Sequence, residues 1–193
     1  GIITFVSPWS MPAAWKAYNT IDGGYNNAGT MVDNYLLTAH YEDYANYLNN
    51  YATYLRDKGA ELDAISVQNE PDMRTTYAGC IWTPQQIANF VRDYGRLIDC
   101  PIIAAEGVGI TDNYSAAFAD DAVIDQYTYY AGHQYSIIQN GLEAVRAKGK
   151  EVWMTEYLIN WNANLTTPRN FNWKKDGFDF AAKVNSALLS NVS

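Results

Sequence analysis

The chain has 193 residues, 48% hydrophobic and 18% charged, with a formal net charge of −8. That composition fills a globular core and argues against a disordered chain. The acidic excess disfavours nucleic acid, which demands clustered Lys and Arg, and no apolar run approaches the ~20 residues of a membrane span.

Residues 2–6, Ile-Ile-Thr-Phe-Val, read as a buried strand, and a loop carrying Trp9, Trp15 and Gly23-Gly24 follows to about residue 38. Tyr44, Leu48, Tyr51, Ala52 and Leu55 recur at three or four residues and predict a helix that Lys58-Gly59 stops. Residues 62–67 are the second strand. Thr83-Pro84-Gln85-Gln86 is a helix start, with Thr83 as cap, Pro84 in the first turn and Gln86 at the capping-box position. Ile87, Val91, Tyr94 and Ile98 continue it as one apolar stripe. Residues 101–105 form the third strand, and residues 123–130 hold the fourth, ending near Gly132-His133-Gln134-Tyr135. Ile138, Leu142 and Val145 mark a short helix closed by Gly149, residues 152–155 are the fifth strand, and residues 176–190 are a last helix with Phe180, Ala181, Val184 and Leu188 on one side. A β-loop-α unit repeated five times with buried strands predicts an α/β fold with a parallel sheet.

Two carboxylates stand where such folds keep their chemistry, at the C-terminal ends of strands. Glu70 closes Ile65-Ser66-Val67-Gln68-Asn69-Glu70-Pro71, and Glu156 closes Glu151-Val152-Trp153-Met154-Thr155-Glu156. A general acid needs a fixed position and a proton to give, and Pro71 stops the strand ladder directly after Glu70. A second carboxylate facing the same bond is the machinery of sugar-chain hydrolysis. Taken singly, each is as well read as a turn-capping or salt-bridged carboxylate; the pair favours chemistry. The 16 Tyr and 6 Trp divide between core packing and flat surfaces on which pyranose rings can rest.

Four ordered motifs carry a family resemblance: Ser7-Pro8-Trp9-Ser10-Met11-Pro12, Val67-Gln68-Asn69-Glu70-Pro71-Asp72, Gly132-His133-Gln134-Tyr135 and Val152-Trp153-Met154-Thr155-Glu156-Tyr157. Over nearly its whole length the chain resembles glycoside hydrolase family 30, most closely its xylanase and glucuronoxylanase branch. The resemblance implies a (β/α)8 TIM barrel of which residues 1–193 supply about strands three to seven, a partial catalytic domain with no second domain in the chain. A full barrel needs about 250 residues. It further implies a retaining endo-β-1,4-xylanase that is secreted, monomeric when full-length, acts on the polysaccharide xylan and needs no cofactor and no metal. By the same resemblance Glu70 is the acid/base, Glu156 the nucleophile, Asn69 a contact to the sugar 2-hydroxyl, and Tyr135 a neighbour of the nucleophile.

Trp9 and Trp82 are expected on the substrate rim, and Tyr157 and Trp161 along neighbouring subsites. Trp153 reads as barrel core, and Glu106, at the end of the third strand, as a carboxylate without direct chemistry. Asp72 reads as a turn or salt-bridge residue, His133 as a packed, hydrogen-bonded histidine and His40 as a residue at a helix start. Arg169, Lys174 and Lys175 form a modest basic cluster whose default is a solvated loop. Cys80 and Cys100 show no CxxC spacing and read as separate thiols, and two distant histidines make a metal site improbable. Asn113, Asn164 and Asn191 open glycosylation-type triplets that arise often by chance. The rival functions are the same machinery on another β-glycan, such as a β-1,6-glucan or a β-glucosyl or β-xylosyl conjugate, and a non-catalytic carbohydrate-binding relative.

Overall fold

The structure is a computed structural model that describes residues 2–110, 112–136, 138, 142–159 and 172–193. Among these, five strands pair in parallel in their chain order: β1 (Phe5–Val6), β2 (Ala64–Ser66), β3 (Ile102–Gly107), β4 (Tyr129–His133) and β5 (Glu151–Glu156). The order runs without reversal, as in a barrel wall and unlike a doubly wound sheet, whose order turns back at a switch point. Five helices intervene or follow: α1 (Tyr41–Asp57), α2 (Pro84–Tyr94), α3 (Asp112–Phe118), α4 (Glu143–Arg146) and α5 (Trp173–Leu189).

Side chains alternate along the strands and build two layers. Ile65, Ile102, Ala104, Tyr130 and Val152 join the main core under the helices. Ala64, Ile103, Ala131 and Trp153 face the other way and pack with Phe5 and Tyr129. Trp153 is thus core, stacked on Tyr129 with ring centroids 3.7 Å apart. Burying each such side chain contributes about 1.5–3 kcal/mol.

The capping box at Thr83 forms as its residues dictate. Gln86 N donates to Thr83 Oγ1 at 3.2 Å, and Thr83 N donates to Gln86 Oε1 at 2.8 Å. On α1, Tyr44, Ala45, Leu48 and Ala52 are buried, but Tyr51 is exposed. Three further expectations need correction. The apolar run at Val123-Ile124 is not strand: residues Ile124–Gln126 form a 3-10 turn and β4 begins at Tyr129. The seven-residue α3, which has no apolar stripe long enough to read, was not expected. The apolar side of α5 is open, with Phe180 45% and Leu188 63% exposed. Ala187 and Val192 join the main core, and past the helix Met154 N donates to Ser193 O while Ser193 N donates to Val152 O. Cys80 and Cys100 are both free thiols.

Candidate active site

The C-terminal ends of β2, β3, β4 and β5 converge on one cluster of ionisable groups. Glu70 lies four residues beyond β2, Glu106 is the penultimate residue of β3, and His133 and Glu156 are the last residues of β4 and β5. His133 has no exposed surface, the Glu70 side chain is 10% exposed and that of Glu156 is 40% exposed. One oxygen of Glu70, one oxygen of Glu156 and one ring nitrogen of His133 all lie within 4.8 Å of one another.

Backbone irregularities aim these side chains. The β3–β4 register skips between Ala105 and Gly107, leaving Glu106 as the extra residue, and the β4–β5 register skips Thr155 between Gly132 and His133. A bulge re-aims a side chain at the end of a ladder. Glu70 (φ 46°), Ala105 (φ 75°) and Glu106 (φ 48°) all adopt the left-handed region, which costs a non-glycine residue about 1–3 kcal/mol and persists only where the surroundings enforce it. Here the enforcement is visible: Glu70 N donates to Glu106 O at 3.0 Å, and Asn69 N to Pro8 O at 2.9 Å. Gly132 is required beside the bulge, because a Cβ there would come within 2.9 Å of Gly109 O.

His133 Nδ1 stands 3.0 Å from Glu70 Oε1 and 3.8 Å from Glu156 Oε1, and its Nε2 stands 3.7 Å from Glu106 Oε1. Burial alone would push the imidazole down. Glu106 and Glu70, then the charge of Glu156, outweigh it and hold His133 up at about 9. At neutral pH the ring is therefore an imidazolium among carboxylates; the trio also has the spacing of a ligand set, which a metal ion would occupy only by displacing that proton. Tyr135 donates to Glu156 Oε1 at 2.6 Å. Burial, then this bond, pushes its phenol up, so Tyr135 remains a donor. Asp72 receives Val108 N at 2.9 Å, and burial raises its carboxyl.

The structure brings together Asn69, Glu70, Tyr135 and Glu156 of the expected residues. Asn69 is buried beside Glu70. Trp9 is 46% exposed on the rim and leans on Tyr77 with centroids 5.6 Å apart. Tyr77 went unremarked in the sequence, where a lone tyrosine in a loop carries no signal. Burial raises its phenol first, and the charges of Glu70 and Glu156 add to this, so Tyr77 lies within electrostatic reach of both carboxylates. Tyr157 touches Tyr135 and Phe180, and Lys183 lies over its ring. Trp82 is a correction: it is 2% exposed, packed among Tyr41, Tyr44 and Phe90, and offers no face to a sugar. The cap that starts α2 at the next residue draws it inward. Trp161, Arg169 and Asn164 lie outside the described residues. His40 stacks on Trp15 and sits 2.8 Å from Asp43 at the start of α1.

No family model matches the chain. Among curated proteins it is similar to glucuronoxylanase XynC of Bacillus subtilis strain 168, with 34% identity over 98% of this chain and 43% of that protein. A shorter match, 41% identical over 35% of this chain and 14% of the relative, is to endo-1,6-β-D-glucanase BGN16.3 of Trichoderma harzianum. Among solved structures it is similar to Xyn30A, a glycoside hydrolase family 30 subfamily 8 xylanase from Clostridium acetobutylicum. The TM-score is 0.74 and the identity 34%, over 83% of this chain and 40% of that one. The five parallel strands match part of that (β/α)8 barrel. The chain spans less than half the length of these relatives.

Proposed function

We propose, from the premise that this chain belongs to glycoside hydrolase family 30, that the protein is a retaining endo-β-1,4-xylanase acting on xylan or glucuronoxylan outside the cell. The observation that carries the reading is the approach of Glu70 and Glu156, which bring one oxygen each within 4.8 Å of the other at the C-terminal ends of the strands. Retaining hydrolases hold their two carboxyl groups about 5–5.5 Å apart, while inverting ones leave about 6.5–9.5 Å for a water.

In this reading Glu156, the more exposed of the two and oriented by Tyr135, attacks the anomeric carbon and forms a glycosyl ester as the glycosidic bond breaks. Glu70 gives its proton to the departing oxygen, then takes one from the water that hydrolyses the ester. The imidazolium of His133 at 3.0 Å from Glu70 compensates the charge left behind. Trp9 and Tyr77 supply an aromatic wall above the carboxylates for a sugar ring, and Asn69 and Tyr157 flank it.

The match to a β-1,6-glucanase over about a third of the chain supports a second reading, the same machinery on a β-1,6-glucan. The test is to incubate the full-length protein with xylan, glucuronoxylan and β-1,6-glucan, measure reducing ends, and follow the anomeric configuration of the first product by NMR. Release of β-configured xylo-oligosaccharides is expected. An α-configured first product would overturn the mechanism, and activity confined to β-1,6-glucan would overturn the substrate.

A further inference from the structure

Glu106 is a buried carboxylate that the proposed mechanism leaves without work. It is 1% exposed, and its backbone is held in a left-handed conformation by a bulge. Its Oε1 receives the Ser7 hydroxyl at 2.9 Å and faces His133 Nε2 at 3.7 Å, while its Oε2 and that same Nε2 have no hydrogen-bond partner. A ring nitrogen buried without a hydrogen-bond partner, with a buried carboxylate group 3.7 Å away that itself keeps one oxygen unpartnered, is costly unless the nitrogen carries a proton and the pair is ionic.

The remaining groups around the ring agree. Glu70, from the segment after β2, takes Nδ1 at 3.0 Å, and Glu156 on β5 stands 3.8 Å from the same nitrogen. Tyr135, from the segment after β4, meets the ring edge-on and donates to Glu156 rather than to the histidine. Asp72, beyond β2, is within electrostatic reach of both Glu70 and the ring. Three carboxyl groups therefore face one imidazole, and a fourth lies within electrostatic reach of it.

We propose that Glu106 is a positioning residue that acts through His133: it holds the ring as an imidazolium with Nδ1–H aimed at Glu70, and so fixes the place and the counter-charge of the acid/base. The chain of contacts is Ser7–Glu106–His133–Glu70, reinforced by the backbone bond from Glu70 N to Glu106 O at 3.0 Å. Ser7 orients the carboxylate, Glu106 supplies the charge, and His133 passes both to Glu70. The raised affinity of His133 for its proton, to which Glu106 contributes, accords with this geometry. The assignment rests on the hydrolase reading for the acid/base role of Glu70, but the Glu106–His133 coupling is measurable without turnover.

The experiment is a side-chain 15N NMR titration of His133 in the full-length protein, its signal assigned by its loss in His133→Gln, in wild type and in Glu106→Gln. In wild type both ring nitrogens remain protonated through pH 8. In Glu106→Gln, which keeps the shape and the Ser7 contact and removes the charge, the midpoint falls by at least about one pH unit. With xylo-oligosaccharides kcat falls about tenfold or more while KM changes little, since a charged hydrogen bond to the acid/base is weakened. Aryl glycosides with good leaving groups are spared. A neutral His133 at pH 7 in wild type would overturn the proposal even if the variant fails to fold. So would a folded Glu106→Gln with an unmoved midpoint, whatever its activity. A shifted midpoint in a protein that hydrolyses no β-glycan would leave the coupling standing and overturn the hydrolase reading instead.

Discussion

The Tyr135 hydroxyl donates a 2.6 Å hydrogen bond to Glu156 Oε1, the oxygen that also stands 3.8 Å from His133 Nδ1. One carboxylate oxygen thus has two polar neighbours, the Tyr135 hydroxyl and the His133 ring. A hydrogen bond to a charged group contributes about 1.5–3 kcal/mol. Tyr135→Phe is expected to lower kcat about 10–100-fold through loss of nucleophile orientation, with a circular-dichroism spectrum and unfolding midpoint close to wild type. An unchanged kcat would show that the bond does not serve the reaction.

Glu70 and Glu156 separate by leaving group. Glu156→Gln removes the attacking group and is expected to abolish turnover on every substrate. Glu70→Gln removes the proton donor, so it is expected to cut xylan hydrolysis by about 10²–10⁴-fold while sparing aryl glycosides whose phenolate departs unaided. Steady-state rates on a graded series of aryl xylosides check this. Equal losses on good and poor leaving groups would count against the acid role.

That Glu70 and Glu156 come together was legible because each closes a β-branched run, and strand ends are where a parallel sheet exposes its chemistry. β2, β3 and β5 were legible for the same reason, and α2 from its cap, whereas the buried strand expected over residues 2–6 shrinks to Phe5–Val6, with Ile2 90% and Ile3 61% exposed. What the sequence did not reveal was mostly backbone geometry. Ala105 and Glu106 adopt positive φ with no glycine to announce it, so the bulge that turns Glu106 toward His133 had no sequence signal. His133 was read as a packed, hydrogen-bonded residue, which it is, but its partners come from three separate strand ends. Trp82 misled because it sits in the loop that follows the strand closed by Glu70, where a rim residue would stand. Tyr41, Tyr44 and Phe90, contributed by α1 and α2, make it core. The run Val123-Ile124 was ambiguous between strand and turn, as short apolar runs are.

His133 links stability to pH. Its folded value, about 9, lies above the ordinary 6.5, so the folded state binds the proton more tightly than the unfolded chain. The stabilisation is fully present below about pH 6.5 and is lost as pH rises toward 9. It amounts to about 3–4 kcal/mol for a shift of this size. Urea unfolding of the full-length protein at pH 6.5 and pH 8 should show falling stability in wild type and a smaller fall in His133→Gln. Lys16, whose folded value is about 8, begins to release its proton within this window and opposes the fall, so the comparison with His133→Gln, in which Lys16 is unchanged, isolates the contribution of the ring. Equal slopes in the two proteins would remove His133 as the cause.

Lys16 clamps the two loops that carry the aromatic wall. Its Nζ lies 2.6 Å from Gly79 O, 2.9 Å from Ile21 O, 3.0 Å from Asp22 O and 3.2 Å from Ser10 Oγ. Ser10 belongs to the loop of Trp9, and Gly79 to the loop of Tyr77. Burial pushes the amine down to about 8, so near neutral pH it is still charged and shares three N–H donors among four oxygens. Lys16→Met leaves those oxygens without their donor and is expected to cost about 1–3 kcal/mol in urea unfolding. It should raise KM for xylo-oligosaccharides more than it lowers kcat, because Glu70 and Glu156 are held from other strands. The pH dependence has the opposite sign to that of His133. A folded value below the ordinary 10.5 makes the charged form a cost that is fully present below about 8 and relieved as pH rises toward 10.5. Wild type should therefore gain stability from this source across that range and Lys16→Met should not. A variant as stable as wild type at pH 7, or one with the same slope above pH 8, would show that the clamp does not hold the two loops together.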